Sequence, residues 1–204
     1  LKNILCFGDS NTHGYIPGGK GRYPFNIRWT GRLQKNLGNG YYVIEEGLNG
    51  RTTIFEDTIP GRRAIDYIAP CVRTHAPLDI IIFMLGSNDC KFEFNADEDD
   101  IAEGMQQVVE TAKGACQDCS PQILIISPPY LSWQKWSSEF NERSEAVCRK
   151  LADKYKEVAS RTGSMFMDAS KFVKPSGEDM LHLDENGHKK LADVIAEKIL
   201  KNQL

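Results

Sequence analysis

Two short stretches carry residue types that can do nucleophilic chemistry. Ser10 stands in Gly8-Asp9-Ser10-Asn11, directly after an apolar run, and His182 closes Asp179-Met180-Leu181-His182. A serine on a tight turn between a strand and a helix exposes its hydroxyl, and its own backbone N–H faces the same space. It can attack a carbonyl carbon and help to hold the resulting oxyanion. Such a hydroxyl needs a base within hydrogen-bond reach, and the chain has four histidines to supply one. His182 fits best, because a carboxylate three residues before it can reach the imidazole Nδ1–H, fix the tautomer and stabilise the imidazolium formed when the serine proton is taken. The chemistry these residues support is acyl transfer in two steps through an acyl-enzyme on Ser10, with no cofactor.

The remaining histidines read differently. His13 follows Ser10 too closely on the same turn to aim at its hydroxyl, His75 ends a helix where positive charge suits the dipole, and His188 is expected on the last helix facing solvent. No cluster of cysteines or carboxylates joins His182 and His188, so no metal is expected there. Gly18-Gly19-Lys20-Gly21 lacks the Gly-Lys-Ser/Thr ending of a phosphate loop and reads as a flexible loop. The six cysteines, at 6, 71, 90, 116, 119 and 148, are scattered as reduced thiols of a cytoplasmic protein would be, and Cys116-x-x-Cys119 has no second pair to make a metal or redox site.

The elements that must position these groups come from the hydrophobic pattern. Asn3 to Phe7, Tyr41 to Glu46, Asp79 to Leu85, Gln122 to Ser127 and Ser164 to Asp168 are apolar runs of strand length, continuous as in strands covered on both faces. Between them lie helical patterns at Trp29 to Leu37, Ala64 to Thr74, Ile101 to Ala115 and Ser138 to Thr162, the last stopped by Gly163, and a final helix capped by Asp184. This alternation predicts a single α/β domain, a three-layer α/β/α sandwich on a five-stranded parallel sheet, flavodoxin-like in plan, with its site at the carboxyl ends of the strands. Gly8-Asp9-Ser10-Asn11, Gly47-Leu48-Asn49-Gly50 and Gly86-Ser87-Asn88-Asp89 all fall on that edge. The two longest irregular stretches, Asn11 to Arg28 and Ser127 to Ser137, are expected to face substrate.

A chain of 204 residues, 41% hydrophobic, with a formal net charge of −3, suffices for one core and offers no basic stripe for nucleic acid. No apolar run approaches the roughly 20 residues that span a bilayer, so no membrane partner is expected.

A lone Gly-Asp-Ser is as often a helix cap as a nucleophile. Four ordered blocks, G-D-S-x, G-x-x-G, G-x-N-D and D-x-x-H, extend over nearly the whole chain and resemble the SGNH hydrolases, the GDSL esterase and lipase superfamily. The resemblance implies that Ser10 is the nucleophile, that Asp179 and His182 complete its triad, and that the N–H groups of Ser10 and Gly50 with the Asn88 side-chain amide form the oxyanion hole. Asn11 departs from the leucine in the family name. The run Ile44 to Thr53, with Arg28-Trp29-Thr30-Gly31 and Ser127-Pro128-Pro129, is similar to the bacterial arylesterase and acyltransferase subgroup. That subgroup implies small-molecule esters with short acyl groups, possible transfer to alcohols or peroxide, and a homo-oligomer. Asn11, Trp29, Arg51, Phe92 and Trp133 are candidates for binding substrate. Trp133 and Trp136 serve equally as pocket walls or as anchors against another subunit. Acetylated sugars, thioesters and lysophospholipids are alternative substrates for the same triad, and an anion-binding flavodoxin-like module without catalysis is the remote alternative.

Overall fold

The computed structural model describes residues 1–117, 120–135 and 137–201. Cys119 and Trp136, and with them the Cys-x-x-Cys and second-tryptophan readings, lie outside the described residues. Five strands, β1 (Lys2–Gly8), β2 (Tyr41–Gly47), β3 (Ile80–Met84), β4 (Gln122–Ser127) and β5 (Met165–Asp168), pair in the order β2-β1-β3-β4-β5. Every pairing is parallel. The connecting helices are α1 (Ser10–His13), α2 (Trp29–Leu37), α3 (Ala64–His75), α4 (Glu98–Ala115), α5 (Glu142–Thr162) and α6 (Glu185–Leu200).

Alternation along the strands divides the core between the two faces of the sheet. Leu5, Phe7, Ile81, Phe83, Ile123 and Ile125 pack with α3, α4 and α5. Ile4, Cys6, Ile80, Ile82, Leu124 and Ile126 pack with α2 and α6. The chain runs from β1 outward to β2 and then back across to β3, so the direction of winding reverses at β1. In open parallel sheets that reversal leaves a crevice at the carboxyl edge, where ligands bind.

Two helices start elsewhere than the apolar spacing predicts. α4 begins before Ile101 because Asp97 accepts from the N–H groups of Asp99 and Asp100 while Asp100 accepts from that of Asp97, a reciprocal cap made of polar residues. α5 begins only after Asn141, which forms the same kind of cap with Ser144. Phe140 therefore lies in the preceding loop, buried by tertiary packing rather than by helix phase.

His188 corrects the expectation of a solvent-facing side chain. It is fully buried on α6, with Nδ1 accepting from the Trp29 N–H at 3.2 Å, and its ring meets Tyr23 edge-on. Burial and the nearby Arg32 charge hold its pKa down to about 4, so the ring is neutral packing. Among the described residues no helix is long and apolar enough to cross a membrane.

Candidate active site

β1 ends at Gly8, where a side chain is excluded by close approach rather than by backbone conformation. A Cβ there would lie 2.1 Å from Thr12 Oγ1 and 2.7 Å from the Met84 carbonyl oxygen. Asp9 then caps α1, its carboxylate accepting from the Asn11 N–H at 2.9 Å, and Ser10 is the first helical residue. An N–H in the first turn has no partner within the helix, so that of Ser10 is available to an oxyanion. Burial pushes the Asp9 pKa up to about 6, against the pull of the Asn11 N–H and the fields of His182 and Arg51.

His182 arrives on the loop between β5 and α6. His182 Nε2 lies 2.9 Å from Ser10 Oγ, and Nδ1 lies 2.8 Å from Asp179 Oδ2. Asp179 Oδ1 accepts from the N–H groups of Leu181 and His182, at 3.0 and 2.9 Å. Met180 makes this tight return possible by adopting φ 58, a left-handed conformation unusual for a residue with a side chain. The Gly18 N–H donates to Asp179 Oδ2 at 3.1 Å, tying the long first loop to the same carboxylate. Burial works against the Asp179 charge, yet the hydrogen bonds from the His182 ring and backbone hold its pKa down to about 2.

The expected oxyanion donors come from three loops that one buried cation ties together. Arg51, only 4% exposed, donates to the carbonyls of Gly8 and Glu46, and its guanidinium lies 4.1 Å over the Phe7 ring. The Arg51 carbonyl in turn accepts from the Asn88 side-chain amide at 3.1 Å, which fixes that amide and leaves its second N–H for another acceptor. Gly50, at φ 75, turns the chain just before Arg51, and a Cβ on it would lie 2.4 Å from the Arg62 guanidinium. Asp89 is fully buried and accepts from the backbone and hydroxyl of Thr53, bracing the loop after Gly50; burial pushes its pKa up to about 6.

Beside His182 lies a pocket of about 240 Å³. The first long loop supplies Tyr15, Gly18 and Gly19, and the second supplies residues 131–134 and 137–140, with Asp179 to His182 forming the floor. Of the candidates for binding substrate, Trp133 lines this pocket. Phe92 is 48% exposed on a short 3-10 turn and is not among the lining residues. Asn11, Trp29 and Arg51 do not face the pocket: Trp29 is fully buried under α6, Arg51 is the tie described above, and Asn11 holds the base loop. The Asn11 side chain donates to the Leu181 carbonyl at 3.3 Å and accepts from the Leu183 N–H at 2.9 Å, one contact on each side of His182. The Tyr15 ring, not singled out by the sequence, packs 4.5 Å from the His182 ring. Its place in the long loop just after Ser10 was the available signal.

A serine, imidazole and carboxylate in a hydrogen-bonded line at the switch point of a parallel sheet define a serine hydrolase constellation. Residues 6–190 match the GDSL-like Lipase/Acylhydrolase family, and the chain belongs to that family of carboxylic ester hydrolases. Its structure is similar to that of the M. smegmatis aryl esterase, with 37% identity and a TM-score of 0.92 over 98% of this chain and 99% of that one. It is also similar to a carbohydrate acetylesterase from Sinorhizobium meliloti, with 33% identity and a TM-score of 0.92 over 99% and 100% of the two chains. An acetylxylan esterase from Xylanibacter ruminicola is 26% identical over 96% of this chain, which spans 42% of that relative's length.

Proposed function

We propose that the chain hydrolyses esters of short acyl groups, acetyl foremost, through an acyl-enzyme on Ser10. The observation that carries this is the unbroken line from Asp179 Oδ2 to His182 Nδ1 at 2.8 Å and from His182 Nε2 to Ser10 Oγ at 2.9 Å. His182 takes the hydroxyl proton as Ser10 Oγ bonds to the ester carbonyl carbon, and Asp179 balances the imidazolium. The N–H groups of Ser10 and Gly50 and the Asn88 amide receive the oxyanion, each such donor contributing about 10²–10³ in turnover. His182 then protonates the departing alcohol, and water attacks the acyl carbon by the same steps in reverse. An alcohol in place of water gives acyl transfer.

The pocket lies beside His182, the group that hands a proton to the leaving oxygen, and it therefore suits the alcohol side of the ester. Its aromatic wall of Tyr15 and Trp133 supports an aryl or sugar ring there. Gln134, Ser137, Ser138 and Glu139 on the same wall favour a hydroxylated ring as the second reading, an acetylated carbohydrate. Self-association, which the likeness to the arylesterase subgroup implies, is tested by light scattering.

The test is hydrolysis of p-nitrophenyl acetate by wild type, Ser10→Ala and His182→Ala, each first confirmed folded by circular dichroism. Loss of about 10⁴-fold or more in kcat in both variants supports the mechanism. Variants matching wild type refute it. Parallel rates on 2-naphthyl acetate and acetylated xylose separate the two readings of the pocket.

A further inference from the structure

Away from the Ser10 centre, the end of β2 and one face of α3 bring a carboxylate, a thiol and an imidazole together. We propose that Glu46, Cys71 and His75 form a binding site for a divalent cation of borderline softness, Zn²⁺ foremost. Their ligand atoms all lie within 4.8 Å of one another. Cys71 and His75 are one helical turn apart on α3 and so project from the same face, while Glu46 reaches across from the strand. Glu46 Oε1 is already 2.9 Å from His75 Nε2.

An ordinary ion pair accounts for the Glu46 and His75 contact, but it does not require a thiol one turn back on the same face. Sulfur, nitrogen and oxygen donors in one set are those that zinc takes, with three protein ligands leaving a fourth position for water. Zinc distances of about 2.3 Å to sulfur and 2.0–2.2 Å to nitrogen and oxygen put the ligand atoms roughly 3.3–3.8 Å apart, so the three close on an ion by side-chain rotations of about an ångström. The thiol is buried at the base of the site, and the Glu46 and His75 side chains, 20% and 26% exposed, frame its entrance. The second Glu46 oxygen accepts from the Tyr67 hydroxyl at 3.4 Å, an outer contact that orients the ligating carboxylate. The nearby cation is Arg51, whose guanidinium lies 5.6 Å from the Tyr67 ring centroid. When Cys71 gives its proton to solvent on binding, the doubly charged ion is matched by one thiolate and one carboxylate, and Arg51 faces a neutral cluster.

Cobalt(II) is the probe, titrated anaerobically into the reduced, folded protein. Wild type is expected to bind one equivalent, with a thiolate-to-cobalt charge-transfer absorption in the near ultraviolet that zinc abolishes. His75→Ala and Cys71→Ser are expected to lose the band and to weaken binding by more than the roughly 10–100-fold that loss of an outer-shell partner causes. His75→Ala retains Cys116 and Cys119, and it should hydrolyse p-nitrophenyl acetate at the wild-type rate in metal-free buffer. A band surviving in both variants would place the ion on other cysteines. Wild type with reduced thiols and no band in a large excess of cobalt would overturn the proposal as well.

Discussion

The Ser10 hydroxyl and the His182 ring meet at 2.9 Å across 172 residues of sequence, and Asn11 holds the meeting from the next position along the chain. The Asn11 amide grips the Leu181 carbonyl and the Leu183 N–H, so the backbone on both sides of His182 is fastened to the residue that follows Ser10. Any shift of the base loop relative to α1 breaks one of those bonds.

Asn11→Ala removes both fastenings without touching a reacting atom. The expected result is a kcat lower by about 100-fold with KM little changed, as small misplacements of catalytic groups produce. Steady-state kinetics on p-nitrophenyl acetate checks this, and an unchanged kcat would contradict the positioning role.

Asp179→Asn offers the His182 ring an amide in place of a carboxylate, which favours the wrong tautomer and leaves the imidazolium unbalanced. A loss of roughly 10⁴-fold in kcat is expected. Because the Asp179 pKa is lowered from 3.8 to about 2, the stability it contributes is present above the unfolded value and is lost as pH falls between the two. Activity lost at higher pH than this in wild type therefore belongs to another group, and the pH profile of kcat/KM reads it out.

Asp57 anchors a buried ionic chain behind Gly50. Its carboxylate accepts from Lys91 Nζ and Arg62, each at 2.9 Å, and the Lys91 and Asp57 side chains are 4% and 1% exposed. Burial opposes the charge, but the Ile59 N–H, Lys91 and Arg62 hold the pKa down to about 2. Asp57→Asn removes one of the two carboxylates on the Lys91 ammonium, leaving Glu139 at 2.6 Å, and is expected to cost about 2 kcal/mol at neutral pH. The stabilisation is lost in wild type as pH falls from 3.8 toward 2, so the difference between the two proteins should shrink over that range in urea unfolding series.

The strands were legible because those buried on both faces read as unbroken apolar runs, and Gln122–Ser127 falls where the pattern puts it. The meeting of Ser10, His182 and Asp179 was legible because each follows a strand of a parallel sheet or sits on the loop after one. Features set by tertiary contact were not. Phe140 has the right spacing for α5 yet is buried in a loop, and the left-handed Met180 follows from hydrogen bonds to a carboxylate that no local preference encodes. Arg51 and Asn11 are polar residues whose burial depends on carbonyls elsewhere in the chain. His188 did carry a signal: it precedes Leu191, Ala192 and Ile195 at helical spacing and so shares their buried face.

Trp133 lines the pocket beside His182, on the side proposed for the alcohol group. Trp133→Ala should raise KM for 2-naphthyl acetate by about tenfold, the equivalent of one lost aromatic contact, and leave ethyl acetate hydrolysis nearly unchanged. Equal effects on the two esters would move the tryptophan to a purely structural role.

The central claim is that the Ser10 hydroxyl is the activated nucleophile. Labelling with a fluorophosphonate and mapping the modified peptide by mass spectrometry tests it directly. One label per chain on Ser10, abolished in Ser10→Ala and greatly slowed in His182→Ala, is the predicted result. A folded, ester-hydrolysing protein labelled at another residue would contradict it.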